Sequence, residues 1–212
     1  MLFRSLLALS AVGSLREDVR PGDFLVVDQF FDRTRGRVST FFGDGLAAHV
    51  HFADPVCPEL SLLAAEAAEA VGKRVHRGGT YVCMEGPQFS TRAESAYYRS
   101  LQMDVIGMTN LQEAKLAREA ELCYATVALV TDFDCWHDSA EDVSVGGILK
   151  VLRDNAAAAR SMLAALLRTI PVERNACACG RALEGALVTP RALVPPETLR
   201  RLELIVGKYM EA

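Results

Sequence analysis

The sequence predicts an α/β fold, a single domain over residues 1–212 with a largely parallel central sheet flanked by helices. Three observations point there. Short apolar runs bounded by Gly, Pro or Asp alternate with stretches of helical spacing, and strands joined by crossover helices form parallel sheets. The apolar runs lack clean alternation, as strands buried on both faces do. The 212 residues, 50% hydrophobic and 24% charged, suit one core, and no repeat, low-complexity tract or linker divides them.

Taken in order, Leu6–Leu9, Phe24–Val27, Thr80–Met84, Val105–Met108 and Tyr124–Val130 read as strands, rich in Val, Ile, Leu and aromatics. The stretch ELSLLAAEAAEAVGKR (59–74) reads as a helix with a glycine near its end. In STRAESAYYRSLQM, Thr91 and Glu94 have capping-box spacing and start a helix just after Phe89. NLQEAKLAREAE is rich in strong helix formers, and residues 143–170 read as a long amphipathic helix that Gly146 and Gly147 weaken near its start. PPETLRRLELIVGKYM closes the chain as a helix with proline at its beginning.

Composition narrows the function classes. A net charge of -4 and 7% aromatics, with basic residues scattered apart from Arg33, Arg35 and Arg37, argue against nucleic-acid binding. The segment MLFRSLLALSAVG faintly imitates a signal peptide, but its apolar stretch is marginal and a strand followed by a Gly-containing turn explains it as well. Secretion is rejected in favour of a cytoplasmic location, and no run approaches the ~18 apolar residues of a membrane span. Cys177 and Cys179 form a C-x-C. A metal site there needs a second pair or histidines at ligand spacing; none follows along the sequence, so the pair reads as reduced thiols and no metal is expected.

In open α/β sheets ligands bind beyond the carboxyl ends of strands, which singles out three strand ends. At the first, Ser10–Ser14 (SAVGS) reads as a tight turn, either an anion-holding one or an ordinary one. At the second, Met108 is core filler or a ligand contact, and Thr109 donates to a phosphate or caps the next helix. At the third, ELCYATVALVTDFDCW ends an apolar run in Asp132 and Asp134, which strand geometry puts on one face, either as an ordinary solvated loop start or as acids delivered to a ligand. Beside Phe133 and Trp136, such acids gain a raised pKa suited to donating a proton to a developing base.

MEGPQFSTRAES (84–95), MTNLQEAKLAREAELCYATVALVTDFDCW (108–136), SAVGSLREDVRPGDFLVVDQFFDRT (10–34) and AHVHFADPVCPEL (48–60) closely resemble the S-methyl-5'-thioadenosine phosphorylase family, in the trimeric branch of the purine nucleoside phosphorylases. The resemblance runs nearly end to end and includes the CACGRAL tail. It implies a mixed, largely parallel sheet and a reversible phosphorolysis of S-methyl-5'-thioadenosine to adenine and 5-methylthioribose 1-phosphate. Inorganic phosphate is the co-substrate, no cofactor is needed, and the assembly is a homotrimer.

By the same resemblance Asp132 serves purine N7 and Asp134 accepts from the 6-amino group. Phe89 stacks near the base and ribose, and Met108 holds the ribose face, partly through its backbone. Ser10 and Thr109 contact phosphate, with Ala11 lining the same turn. Val143, Val145 and Ile148 form the apolar slot for the methylthio group, which His49 reaches from a neighbouring subunit. Relatives selective for 6-oxopurines carry Asn at the first strand-end acid and Glu after the GP-x-F phenylalanine. Here those positions are Asp132 and Ser90, which favours a 6-amino purine.

The family also has an N-terminal block ahead of the first strand, with a Gly-containing phosphate loop and an Arg-His pair. Ser10 stands nine residues after Met1, so this part of the phosphate site is expected to lie outside the sequence given. Two further readings follow: a catalytically impaired chain that still binds nucleosides, and a phosphorylase acting on methylthioinosine or other purine nucleosides.

Overall fold

The computed structural model describes residues 3–137, 145–173 and 177–210. Seven strands form one sheet: β1 (Ser5–Ser14), β2 (Phe24–Val27), β3 (Gln29–Arg33), β4 (Val75–Arg77), β5 (Thr80–Met84), β6 (Val105–Gly107) and β7 (Cys123–Phe133), in the order β3-β5-β6-β1-β7-β2-β4. The sheet is mixed. Four pairings are parallel, while β1 with β6 and β2 with β7 run antiparallel.

Helices cover it: α1 (Pro58–Ala70), α2 (Arg92–Ser100), α3 (Leu111–Glu119), α4 (Val145–Thr169) and α5 (Pro196–Met210). Strand alternation shows why the apolar runs read as continuous. Phe24 and Val26 of β2, with Val127 and Leu129 of β7, pack on one face against Ala64, Ala68, Met162 and Leu166 of α1 and α4. Their neighbours Leu25, Val27, Ala128 and Val130 enter the opposite layer with Val12, Tyr81 and Leu111. Both faces of the central strands are covered, so their apolar residues show no clean alternation.

The predicted bounds of β2 and β5 match those observed. The box at α2 is present: Thr91 accepts from the Glu94 N–H, and Glu94 accepts from the Thr91 N–H. Three expectations are corrected. The SAVGS segment is no turn; β1 continues through Ser14 because β7 runs beside it to Phe133. Strands β3 and β4 were not anticipated, the first being half polar and the second three residues long at a sheet edge. The helix expected over 59–74 stops at Ala70, where Gly72 takes a left-handed φ of 79°. No described helix is long and apolar enough to cross a membrane.

Candidate active site

Two groups of polar side chains meet on β1. The first is a triangle of hydroxyls. Ser10 Oγ of β1 lies 3.0 Å from Thr109 Oγ1, just past β6, and 3.2 Å from Tyr81 Oη of β5. Tyr81 Oη also accepts from the Thr109 N–H at 3.3 Å. Burial keeps the Tyr81 phenol protonated by pushing its pKa up, so it is a neutral donor and acceptor. Gly107 makes room for it, because a Cβ there would stand 2.0 Å from the phenol oxygen. Ser10 is buried, while Thr109 and Ala11 stay exposed. Two adjacent hydroxyls of this kind can donate to an anion placed outside them.

The second group is acidic. A bulge re-aims the end of β7: Val12 faces Val130 but Gly13 faces Asp132, so Thr131 is the extra residue. A Cβ on Gly13 would meet Asp132 Oδ1 at 3.2 Å and the Asp134 Cβ at 3.3 Å, so both acids flank the same glycine. Burial pushes the Asp132 carboxyl above its ordinary value, and the Asp134 charge adds to the effect. Thr131 Oγ1 lies 2.6 Å from Asp132 Oδ2 and 3.1 Å from the Val12 carbonyl. Asp134 is gripped by Ser90, whose hydroxyl lies 3.0 and 2.9 Å from its two oxygens. Its backbone N–H donates to Ser14 O. From Ser10 to Gly13 is three strand residues, about 10 Å, so the hydroxyl and acid groups are one small molecule apart.

Between them runs the loop after β5. Phe89 is 84% exposed there and lines a groove of about 490 Å³ with Asp32, Met84, Gly86, Ser90 and Tyr98. Met108 lies over Gly86, where a Cβ would come within 2.6 Å of its sulfur. The Met108 carbonyl accepts from Arg37 Nη1 at 2.7 Å, and Arg37 Nη2 donates to the Glu85 carbonyl at 2.6 Å. That guanidinium ties the loop to the end of β6.

The structure therefore brings Ser10 together with Thr109, and Asp132 with Asp134, with Ala11 beside Ser10 and Met108 beside Thr109. His49 is not joined to them; it is exposed, and its N–H donates to the Ala186 carbonyl. Val143 lies outside the described residues. Val145 and Ile148 belong to the first turn of α4, but their side chains lie outside the description. Sequence reasoning missed Tyr81 and Arg37 and assigned Ser90 no bond to Asp134. Tyr81 had read as a strand aromatic, and no local pattern announces partners many residues away.

Residues 2–170 match the family model of the phosphorylase superfamily. The chain is similar to the S-methyl-5'-thioadenosine phosphorylase of Geobacter sulfurreducens, with 54% identity over 97% of this chain and 72% of that protein. It is similar to the protein of the same name from Koribacter versatilis, at 55% identity over 96% of this chain and 70% of that one. Among solved structures, a methylthioadenosine phosphorylase from an antarctic soil metagenomic library superposes with a TM-score of 0.90. It is 48% identical, over 95% of this chain and 71% of that one.

Proposed function

The chain belongs to the phosphorylase superfamily, among the S-methyl-5'-thioadenosine phosphorylases, and on that premise we propose that it cleaves S-methyl-5'-thioadenosine with phosphate to give adenine and 5-methylthioribose 1-phosphate. The observation that carries this reading is the half-buried Asp132 with its raised pKa, set beside Asp134 at the end of β7.

As the N-glycosidic bond breaks, negative charge builds on the purine and positive charge on the ribose. An acid held near purine N7 stabilises the leaving base by giving or sharing a proton, and Asp132 is suited to that. Asp134, held by Ser90, accepts from the 6-amino group. Ser10 and Thr109 donate to the phosphate nucleophile, with Ala11 beside them. Phe89 covers the base and ribose, and Met108 supports the ribose. Val143, Val145 and Ile148 line the methylthio slot, and His49 of a second copy completes it in a homotrimer. The reaction needs no cofactor, and the single domain works in the cytoplasm, in methionine and purine salvage.

The test is chromatography of S-methyl-5'-thioadenosine incubated with the chain, with and without phosphate. Adenine release that depends on phosphate supports the reading. No release at saturating phosphate defeats it, and preference for the hypoxanthine nucleoside would reassign the base.

A further inference from the structure

Four cysteines from three distant parts of the sequence converge at the other end of β7. Cys123 is the first residue of that strand, Cys57 is the N-cap of α1, and Cys177 and Cys179 flank the start of a short 3-10 helix, Ala178–Arg181. Their four Sγ atoms lie within 4.8 Å of one another, Cys123 and Cys177 at 3.5 Å, and none is in a disulfide. Thiolates bound tetrahedrally to zinc at about 2.3 Å stand about 3.8 Å apart, so the cluster already has nearly the required dimensions.

The surroundings fit an enclosed ion. Cys57, Cys123 and Cys179 are buried, with Leu7, Leu60, Ala125 and Ile170 packed around them. A cavity of about 30 Å³ opens on Cys57, Cys123 and Cys177, with Arg4 and Ser5 on its wall. Cys57 stands at the N-terminus of α1, a place that suits the negative charge of a thiolate. An all-sulfur set with no carboxylate or imidazole selects a borderline-soft ion such as zinc over magnesium or calcium.

We propose that Cys57, Cys123, Cys177 and Cys179 together bind one structural zinc ion. The four thiols enter as thiolates and their protons go to solvent; no electron is transferred. Four protein ligands leave no open position for substrate, which marks a structural site. It also lies nine residues along β7 from Asp132, about 30 Å at ~3.3 Å per residue. The ion clamps the segment carrying Cys177 and Cys179 onto the start of β7 and the head of α1. Since α5 packs against that same segment through Leu183, Leu202 and Val206, the clamp fixes the C-terminal layer as a whole.

The experiment is metal analysis of the full chain purified under reducing conditions without chelator, with cobalt substitution in parallel. The expected results are about one zinc per chain and, after exchange, the visible bands of tetrahedral cobalt with thiolate charge transfer. Cys135→Ser, outside the cluster, keeps the metal and Cys179→Ser loses it. If Cys179→Ser does not fold, the half-exposed Cys177→Ser reads the same loss, and the cobalt spectrum of the unmodified chain stands independently of either. Chelation lowers the Tm and speeds amide exchange over 177–210. Zinc at a small fraction of an equivalent with no cobalt bands, iron in its place, or disulfides among these cysteines under reducing conditions would each overturn the proposal. Catalytic assays do not enter it, so its failure leaves the phosphorylase reading untouched.

Discussion

Ser10 and Thr109, ninety-nine residues apart, hold their hydroxyl oxygens 3.0 Å from each other, and Tyr81 touches both. If the pair receives phosphate, the phenol sets its orientation without touching the ligand. Tyr81→Phe should raise the KM for phosphate roughly five- to tenfold, as loss of a net hydrogen bond of about 1 kcal/mol implies, and leave the nucleoside KM near wild type. Steady-state kinetics with each substrate varied in turn separates the two.

Gly107 should not tolerate a side chain. An alanine Cβ would stand 2.0 Å from Tyr81 Oη inside a packed sheet. Gly107→Ala is expected to cost about 1–3 kcal/mol of stability through overpacking. Denaturant unfolding checks this, and the double variant with Tyr81→Phe should recover part of the loss.

Asp132→Asn removes the proposed acid while keeping its shape. The expected loss in kcat is roughly 10²- to 10⁴-fold. In the unaltered chain kcat falls as pH rises through the raised Asp132 pKa, and that limb disappears in the variant. Stability follows the same group. Its folded value lies above its unfolded one, so the bound proton favours the folded chain below the unfolded value, and that contribution is lost as pH rises through the folded value. Asp132→Asn should therefore gain stability relative to the parent at neutral pH, read as Tm against pH.

Ser90 positions Asp134. Ser90→Ala frees a carboxylate that now accepts from the hydroxyl at 3.0 and 2.9 Å. A hydrogen bond to a charged group is worth about 1.5–3 kcal/mol, so the nucleoside KM should rise roughly tenfold or more. If Asp134 meets the 6-amino group, discrimination against 6-oxo nucleosides should weaken as well; an unchanged preference would place the recognition elsewhere.

Much of this was written locally in the chain. The apolar runs of β2 and β5 carry their own bounds, and the Thr91/Glu94 box fixes the start of α2. The acid pair was visible because it interrupts an apolar strand at spacing two. What stayed hidden depends on neighbours across the sheet. The Thr131 bulge follows from how β1 and β7 register, and the Ser10–Tyr81–Thr109 triangle needs three strands assembled. The thiol cluster shows the same limit. No second pair stands near Cys177 and Cys179 in the sequence; the fold brings it from positions 57 and 123.

Transfer of a ribosyl group to phosphate at this site is followed by phosphorus NMR of the reaction. With S-methyl-5'-thioadenosine and inorganic phosphate, a sugar 1-phosphate signal should grow in step with free adenine, much more slowly in Asp132→Asn. Adenine released with no sugar phosphate, or at the same rate without phosphate, would contradict it.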